Sequence, residues 1–441
     1  MRADANTNFA PGHQWGYFPS ASAGWVVSKE NFFKSVSFVD LLKFRGSVGL
    51  LGSDNTPSFL YAVNYQFGTG NKGGAVFGGN GDRGLGALLN IAIPNANLTW
   101  DHDLKTNYGL DAAFLGNRLS VSADYFWEHR YDMLASLNTS VPVTIGAAPS
   151  AENYGIVNTF GYEISVSWKD KIGSNFSYNF SPFFSWSDNK YIKYDIAAAQ
   201  VGTIQDLTGK SSDQGTLGYK SLGIIRTQAD ADAIIAERAA AAGGAQNVKI
   251  FGYVPSPGMI NYVDKNGDGI IKQNDLNDQF YLGKKSSNHY NLGLNFGGAY
   301  KTLSLNVVMG MSWGGNQSIE SAAIKQATAN QNRPVFWADH WTPSNPNAKY
   351  PDPYYSDDVS ATSDFWFVSP FTWNISSANL SYTLPASITK RLGMSSIRAY
   401  VVATNPINFV NPFPEHYRDI SSPFGAYPNL RTVSFGLNLG F

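Results

Sequence analysis

Along much of the chain hydrophobic and polar residues alternate with a period of two, the mark of a β-strand whose two faces meet different surroundings. Residues 118–128 place Leu119, Val121, Ala123, Tyr125 and Trp127 on one face and Ser120, Ser122, Asp124 and Glu128 on the other, with Phe126 as the exception. The same alternation runs through Tyr162, Ile164, Val166 and Trp168, and through Val433, Phe435, Leu437, Leu439 and Phe441, each set interleaved with Ser, Gly, Asn or Glu. Further strands are expected near 15–28, 42–52, 104–115, 176–187, 286–297, 302–312, 366–383 and 396–404, which makes about eleven in all. Within 366–383 the apolar phase passes from Trp373 and Ile375 to Ala378, Leu380 and Tyr382; a β-bulge is the expected cause.

Alternation alone also fits a soluble sandwich, so the connections decide. They are alternately short (29–41, 116–117, 169–175, 298–301, 384–395) and long (53–103, 129–155, 188–285, 313–365, 405–429). That is the rhythm of an outer-membrane barrel with periplasmic turns and extracellular loops. Tyr and Trp at strand ends, such as Tyr162 with Trp168 and Tyr178 with Trp186, suit the aromatic girdles of such barrels. The reading is all-β: a transmembrane antiparallel β-barrel segment, with 188–285 as a long extracellular loop. An odd strand count, with the last strand ending at Phe441, implies a chain that begins in mid-barrel. Residues 1–6 carry no apolar signal-peptide core, so an exported chain would take its signal from elsewhere.

Composition narrows the picture. Only 15% of the 441 residues are charged while 14% are aromatic, and Gly 43 supplies turn chemistry; this favours many short strands. A net charge of -1 gives no basic footprint for nucleic acid. Cys 0 excludes disulfides and thiol catalysis, and no apolar run is long enough for a membrane helix.

Few motifs point to chemistry. Gly68, Gly70, Gly73 and Gly79, Gly81, Gly84 match G-x-G-x-x-G twice in one Gly-rich stretch, without the following helix that dinucleotide binding needs. Gly209-Lys210-Ser211 lacks the upstream glycine of a P-loop, since Ile204 stands there. His13, His102, His129, His289, His340 and His416 are scattered, and no catalytic constellation is visible, so no enzyme is expected. Residues 228–242, preceded by Thr227 and followed by Gly243-Gly244, predict one short helix. The run from Asp264 to Asp275 matches the calcium loop D-x-[DN]-x-[DN]-G with an acid at position twelve. Its expected ligands are Asp264, Asn266, Asp268, the Ile270 carbonyl and Asp275, holding a structural calcium ion. Two features depart from the pattern: Asp in place of Glu at twelve, and Lys272 at nine. Trp313, Trp337, Trp341, Tyr354, Tyr355 and Trp366 are candidate contacts for a ligand or partner, since such rings offer large rigid faces; packing within the loops is the competing role.

Several stretches resemble one family. Arg2-Ala3-Asp4, Phe9-Ala10-Pro11-Gly12, Trp15-Gly16-Tyr17-Phe18-Pro19-Ser20, Leu42-Lys43-Phe44-Arg45-Gly46-Ser47, Asn107-Tyr108-Gly109-Leu110-Asp111, Trp341-Thr342-Pro343 and the final strand from Arg431 to Leu439 are similar to the SusC/RagA-like TonB-linked outer-membrane transporters, over essentially the whole chain. The resemblance implies a 22-stranded plugged barrel, of which this chain would be the C-terminal half. It also implies import of oligosaccharide or peptide, a SusD-like surface lipoprotein as partner, and energy from TonB through an N-terminal part not found in these residues. The competing class is a secreted, calcium-stabilised β-protein that binds carbohydrate.

Overall fold

The computed structural model describes residues 1–441 except 64, 68–87, 91–92, 138–143, 145–148, 150, 284, 326–332 and 419–421. Both Gly-rich matches near 68–84 lie outside the described residues.

Eleven strands form one sheet: β1 (Ser20–Val26), β2 (Val39–Ser53), β3 (Asp101–Phe114), β4 (Leu119–Ser136), β5 (Ala151–Ile172), β6 (Phe176–Lys193), β7 (Tyr290–Tyr300), β8 (Leu303–Trp313), β9 (Thr372–Thr383), β10 (Ser396–Asn408) and β11 (Thr432–Gly440). Each strand neighbours the next in sequence, from β1 at one edge to β11 at the other. In such an antiparallel meander every second connection leaves the same end, so the short and long connections separate to opposite ends.

Two expected strands are shorter than their hydrophobic runs. The run near 15–28 divides at Pro19: Trp15–Phe18 pairs with Arg2–Ala5, and only Ser20–Val26 joins the sheet. The run near 366–383 divides at Pro370, with Phe367–Val368 pairing to Gln317–Ser318 before β9 begins. Proline has no N–H to give a ladder and ends each segment. The expected bulge is present: the register shifts between Ile375 and Ser377 against β10 and between Val308 and Met309 against β8. It restores Trp373 and Ile375 to the face that Ala378, Leu380 and Tyr382 occupy.

The chain divides into two compact units, taken here one at a time. In the unit holding most of β1 to β5, the registers align Phe44 with Leu110 and Val48 with Thr106 on one face. Tyr108 and Tyr125 on that face are exposed. The opposite face carries charge. Arg45 donates to Asp124 at 2.5 and 2.6 Å, to Asp111 at 3.1 and 3.4 Å and to Ser122 at 3.2 Å, and Lys105 donates to Glu128 at 2.7 Å. Arg130 pairs with Asp101 on the same face. In the unit holding most of β6 to β11, the registers line up Phe180–Phe296–Val307–Ala378–Ala403–Val433 and Pro182–Leu294–Met309–Ile375–Ile407. The reverse face bears Ser304 bonded to Ser381 at 2.7 Å, Arg398 on Ser381 at 3.0 Å and Ser312 on Thr372 at 2.8 Å. A soluble sheet hides its apolar face and wets its polar one; here apolar side chains are exposed while charges pair on the other side, the arrangement of a barrel wall in lipid.

Candidate metal centre and the core of the long connections

The connections that follow β6, β8 and β10 contribute, from Tyr219 onward, to one hydrophobic core. Tyr219, Ile225, Ile250, Phe251, Met259, Ile260, Tyr262 and Ile271 come from the first, Ile319, Phe336, Trp337, Tyr350, Val359 and Trp366 from the second, and Phe413 and Tyr417 from the third. Aromatic edges organise it: Tyr219 meets Phe251 at 4.9 Å, Phe251 meets Tyr262 at 5.3 Å, and Phe336 meets Tyr417 at 5.5 Å. Helix α1 (Gln228–Arg238) packs Ala231 into this core, and its Thr227 side chain and Asp230 form a reciprocal capping box. The predicted helix thus stands, shortened at its C-terminal end, where 239–243 form a turn.

One ionisable group lies inside this core. Asp358 is fully buried; one carboxylate oxygen accepts from the Ile260 amide at 2.7 Å and the other has no partner. Tyr262 donates to its backbone carbonyl at 2.9 Å. Burial pushes the carboxyl up to about 8, because the charged form loses its hydration there. A carboxyl whose folded value exceeds its unfolded one stabilises the fold fully below the unfolded value, and that contribution fades as pH rises through the folded value. The core of the connections is therefore expected to resist proteolysis better at pH 5 than at pH 8.5, with Asp358→Asn flattening the difference. Protease susceptibility that is pH-independent in the unsubstituted protein would refute this.

The acidic loop hangs from the same core. Ile260–Tyr262 leads into it, Ile270–Ile271 pairs in parallel with Lys249–Ile250, and Phe280–Leu282 leaves it to pair with Thr216–Gly218. Inside, Asp264 accepts from the Gly267 and Gly269 amides at 2.8 and 2.7 Å, and Asp268 accepts from the Ile270 amide at 2.8 Å. Asn266 accepts from the Asp268 amide at 2.9 Å. Among the described residues, Asp264, Asp268 and Asp278 bring a carboxylate oxygen each to within 4.8 Å of one another. Asp275 is not among these three: its side chain accepts from the Asn277 amide at 3.0 Å, and its amide donates to the Tyr219 hydroxyl at 3.2 Å. Asp278 escapes a twelve-residue template because it lies three residues beyond it. Asn274 adopts a left-handed φ of 59° and the Asp278 amide bonds back to the Asp275 carbonyl at 3.2 Å, so the chain turns after the template ends. Burial pushes the Asp278 carboxyl up, opposed by the Asn266 and Lys265 amides.

Gly269 is the point where this loop touches the helix. Its φ is +79°, and a Cβ there would lie 2.7 Å from the Arg238 carbonyl oxygen and 2.9 Å from the Ala242 Cβ. Both the conformation and the backbone neighbour forbid a side chain. Gly269→Ala is expected to destabilise the loop by about 1–3 kcal/mol, read as faster hydrogen exchange in 260–282; unchanged exchange would show that the helix yields freely.

The remaining candidates separate. Trp337 and Trp366 are core residues, 4% and 3% exposed, with their indole N–H groups bonded to the Ala323 and Val359 carbonyls at 2.9 and 3.0 Å. Their role in this structure is packing. Trp341 donates to the Arg226 carbonyl at 3.2 Å, and Trp313 stacks on Tyr290 at 5.6 Å beside Phe184, a cluster at the long-connection end of β6 to β8. Tyr355 packs edge-on against Tyr253 at 5.3 Å, and Tyr354 is exposed. His289 pairs with Asp213 at 2.7 Å and His102 with Asp132 at 3.1 Å.

Comparison with known proteins supplies the context. No family model matches the chain. Over an alignment of 463 positions that takes in 100% of this chain and 43% of the other protein, it is 24% identical to TonB-dependent receptor P3 of Formosa agariphila. To TonB-dependent receptor SusC of Bacteroides thetaiotaomicron it is 28% identical over 198 residues, covering 44% of this chain and 19% of SusC. Among solved structures, the RagAB peptide transporter superposes with a TM-score of 0.72 at 16% identity, over 99% of this chain and 44% of that one. Its open-open state gives 0.73. The chain thus spans under half the length of the first of these relatives, and the expected fold stands: an antiparallel segment of an outer-membrane β-barrel.

Proposed function

We propose that this chain, part of a SusC/RagA-like TonB-dependent receptor of the outer membrane, is the barrel portion of an importer of oligosaccharides or peptides. The observation that carries the reading is a two-faced sheet in each unit: exposed Tyr108 lies opposite the Arg45–Asp111–Asp124 ion pairs in one, and Phe180, Phe296 and Val307 lie opposite the Ser304–Ser381 face in the other. A wall of that kind separates lipid from a wet lumen. The soluble carbohydrate-binding alternative has no use for an exposed apolar face of six strands. The long connections would then be extracellular and meet substrate and a SusD-like lipoprotein, while TonB would act through a plug domain outside these residues. No catalytic step is assigned to the chain. Peptide is the substrate class that the name of the RagAB transporter carries, and glycan is the other.

Fractionation of cells producing the full-length protein tests the reading. It should require detergent, sediment with outer membranes and bring a surface lipoprotein through affinity purification. A protein released into buffer without detergent would overturn the membrane reading. Uptake of labelled oligosaccharide or peptide that is unchanged on deleting the gene would overturn the import of that class.

A further inference from the structure

We propose that Asp264, Asp268 and Asp278 form a calcium site in which Asp278, not Asp275, closes the shell. Calcium takes oxygens at about 2.3–2.6 Å, so two ligands on opposite sides of one ion stand about 5 Å apart. The three carboxylates, all within 4.8 Å of one another, meet that condition without rearrangement.

The independent observation is the state of Asp278. It is 0% exposed, one oxygen accepts from the Lys265 amide at 3.0 Å, and the other, Oδ2, has no hydrogen-bond partner. A buried carboxylate oxygen without a partner is costly unless the group takes up a proton, as at Asp358, or a cation completes it; Asp278 differs from Asp358 in standing beside two further carboxylates. Among the described residues no basic side chain hydrogen-bonds the three carboxylates: Lys265 directs its ammonium to the Gln279 carbonyl at 2.6 Å, and Arg238, whose charge acts on Asp264 and Asp278 from a distance, donates through Nη2 to Asn261 and to the Tyr262 carbonyl at 3.1 and 2.6 Å. Asp275, by contrast, has its role in its own turn and at Tyr219.

Calcium suits this donor set better than magnesium. Asn266 and the Ile270 carbonyl stand in the same loop as further oxygen donors, and calcium accepts six to eight in loose geometry where magnesium demands a tight octahedron. The ion would join the start of the loop, just after buried Tyr262, to Asp278, just before the Phe280–Leu282 strand. It would thereby clip both ends of the excursion to the core and to the segment that leads into β7.

The test uses the full-length protein in detergent, stripped with chelator and titrated with calcium alone by calorimetry. Saturable binding is expected, weakened at least about tenfold in Asp264→Asn and in Asp278→Asn and little changed in Asp275→Asn. Wild-type affinity in Asp278→Asn, an equal loss in Asp275→Asn, or no saturable heat in the unsubstituted protein would each overturn the proposal. Hydrogen exchange of the unsubstituted protein gives a second readout free of any folding defect in the variants. Calcium should slow exchange across 264–282, and exchange identical in calcium and chelator would overturn the proposal. Neither measurement depends on transport, so failure here leaves the importer reading standing.

Discussion

Phe296→Arg is expected to cost about 2–4 kcal/mol, the depth-dependent penalty of a cation on the lipid face of a barrel near mid-membrane. Phe296 lies at the middle of β7, opposite Phe180 on β6 and Val307 on β8. Leu294 and Gly298 continue its face along the strand, and Asn295 and Gly297 belong to the other. An Arg at 296 must either drag its guanidinium through hydrocarbon or thin the bilayer around it. The matched control is Asn306→Arg on β8, which faces the side where Ser304 and Ser381 already bond. Denaturant unfolding of the full-length protein in lipid vesicles measures both, with outer-membrane yield as the readout in cells. Equal losses from the two substitutions would mean that neither face meets lipid.

The strands were legible because a barrel wall writes its two environments into every second residue. Val433 to Phe441 alternates without interruption and forms β11 as expected. Even the β9 bulge could be read, since one extra residue leaves a permanent phase change in the pattern. Pairing partners were less legible: Pro19 and Pro370 interrupt runs whose hydrophobicity continues, and the segments beyond them find partners in Arg2–Ala5 and Gln317–Ser318 that no local period names. The core of the long connections was the least legible part. Tyr219, Trp337 and Tyr417 are nearly two hundred residues apart from first to last, and their burial follows from chain crossings, not from any repeat. The metal loop shows both sides at once. Asp264 to Gly269 are local enough for a motif, whereas Asp278 joins them only through the left-handed turn at Asn274.

That shared core makes a stronger claim than its separate contacts. Trp337 contributes a ring 5.6 Å from Phe336, 6.1 Å from Tyr350 and 5.7 Å from Trp366, and its N–H satisfies the Ala323 carbonyl. Trp337→Ala removes that ring, leaves a cavity and strands a carbonyl, at a cost of about 3–5 kcal/mol. Because Tyr417 packs on Phe336 and Tyr350 stacks with Trp366 at 6.1 Å, the loss is not confined to the connection that carries the mutation. Limited proteolysis of the full-length protein should show new cleavage in 213–289, 314–371 and 409–431 together, while the strands remain protected by their ladders. Phe336→Leu, which keeps an apolar side chain in the same core, should open them far less. Cleavage appearing only within 314–371 would show that the three connections order themselves separately and that their common core carries no cooperativity.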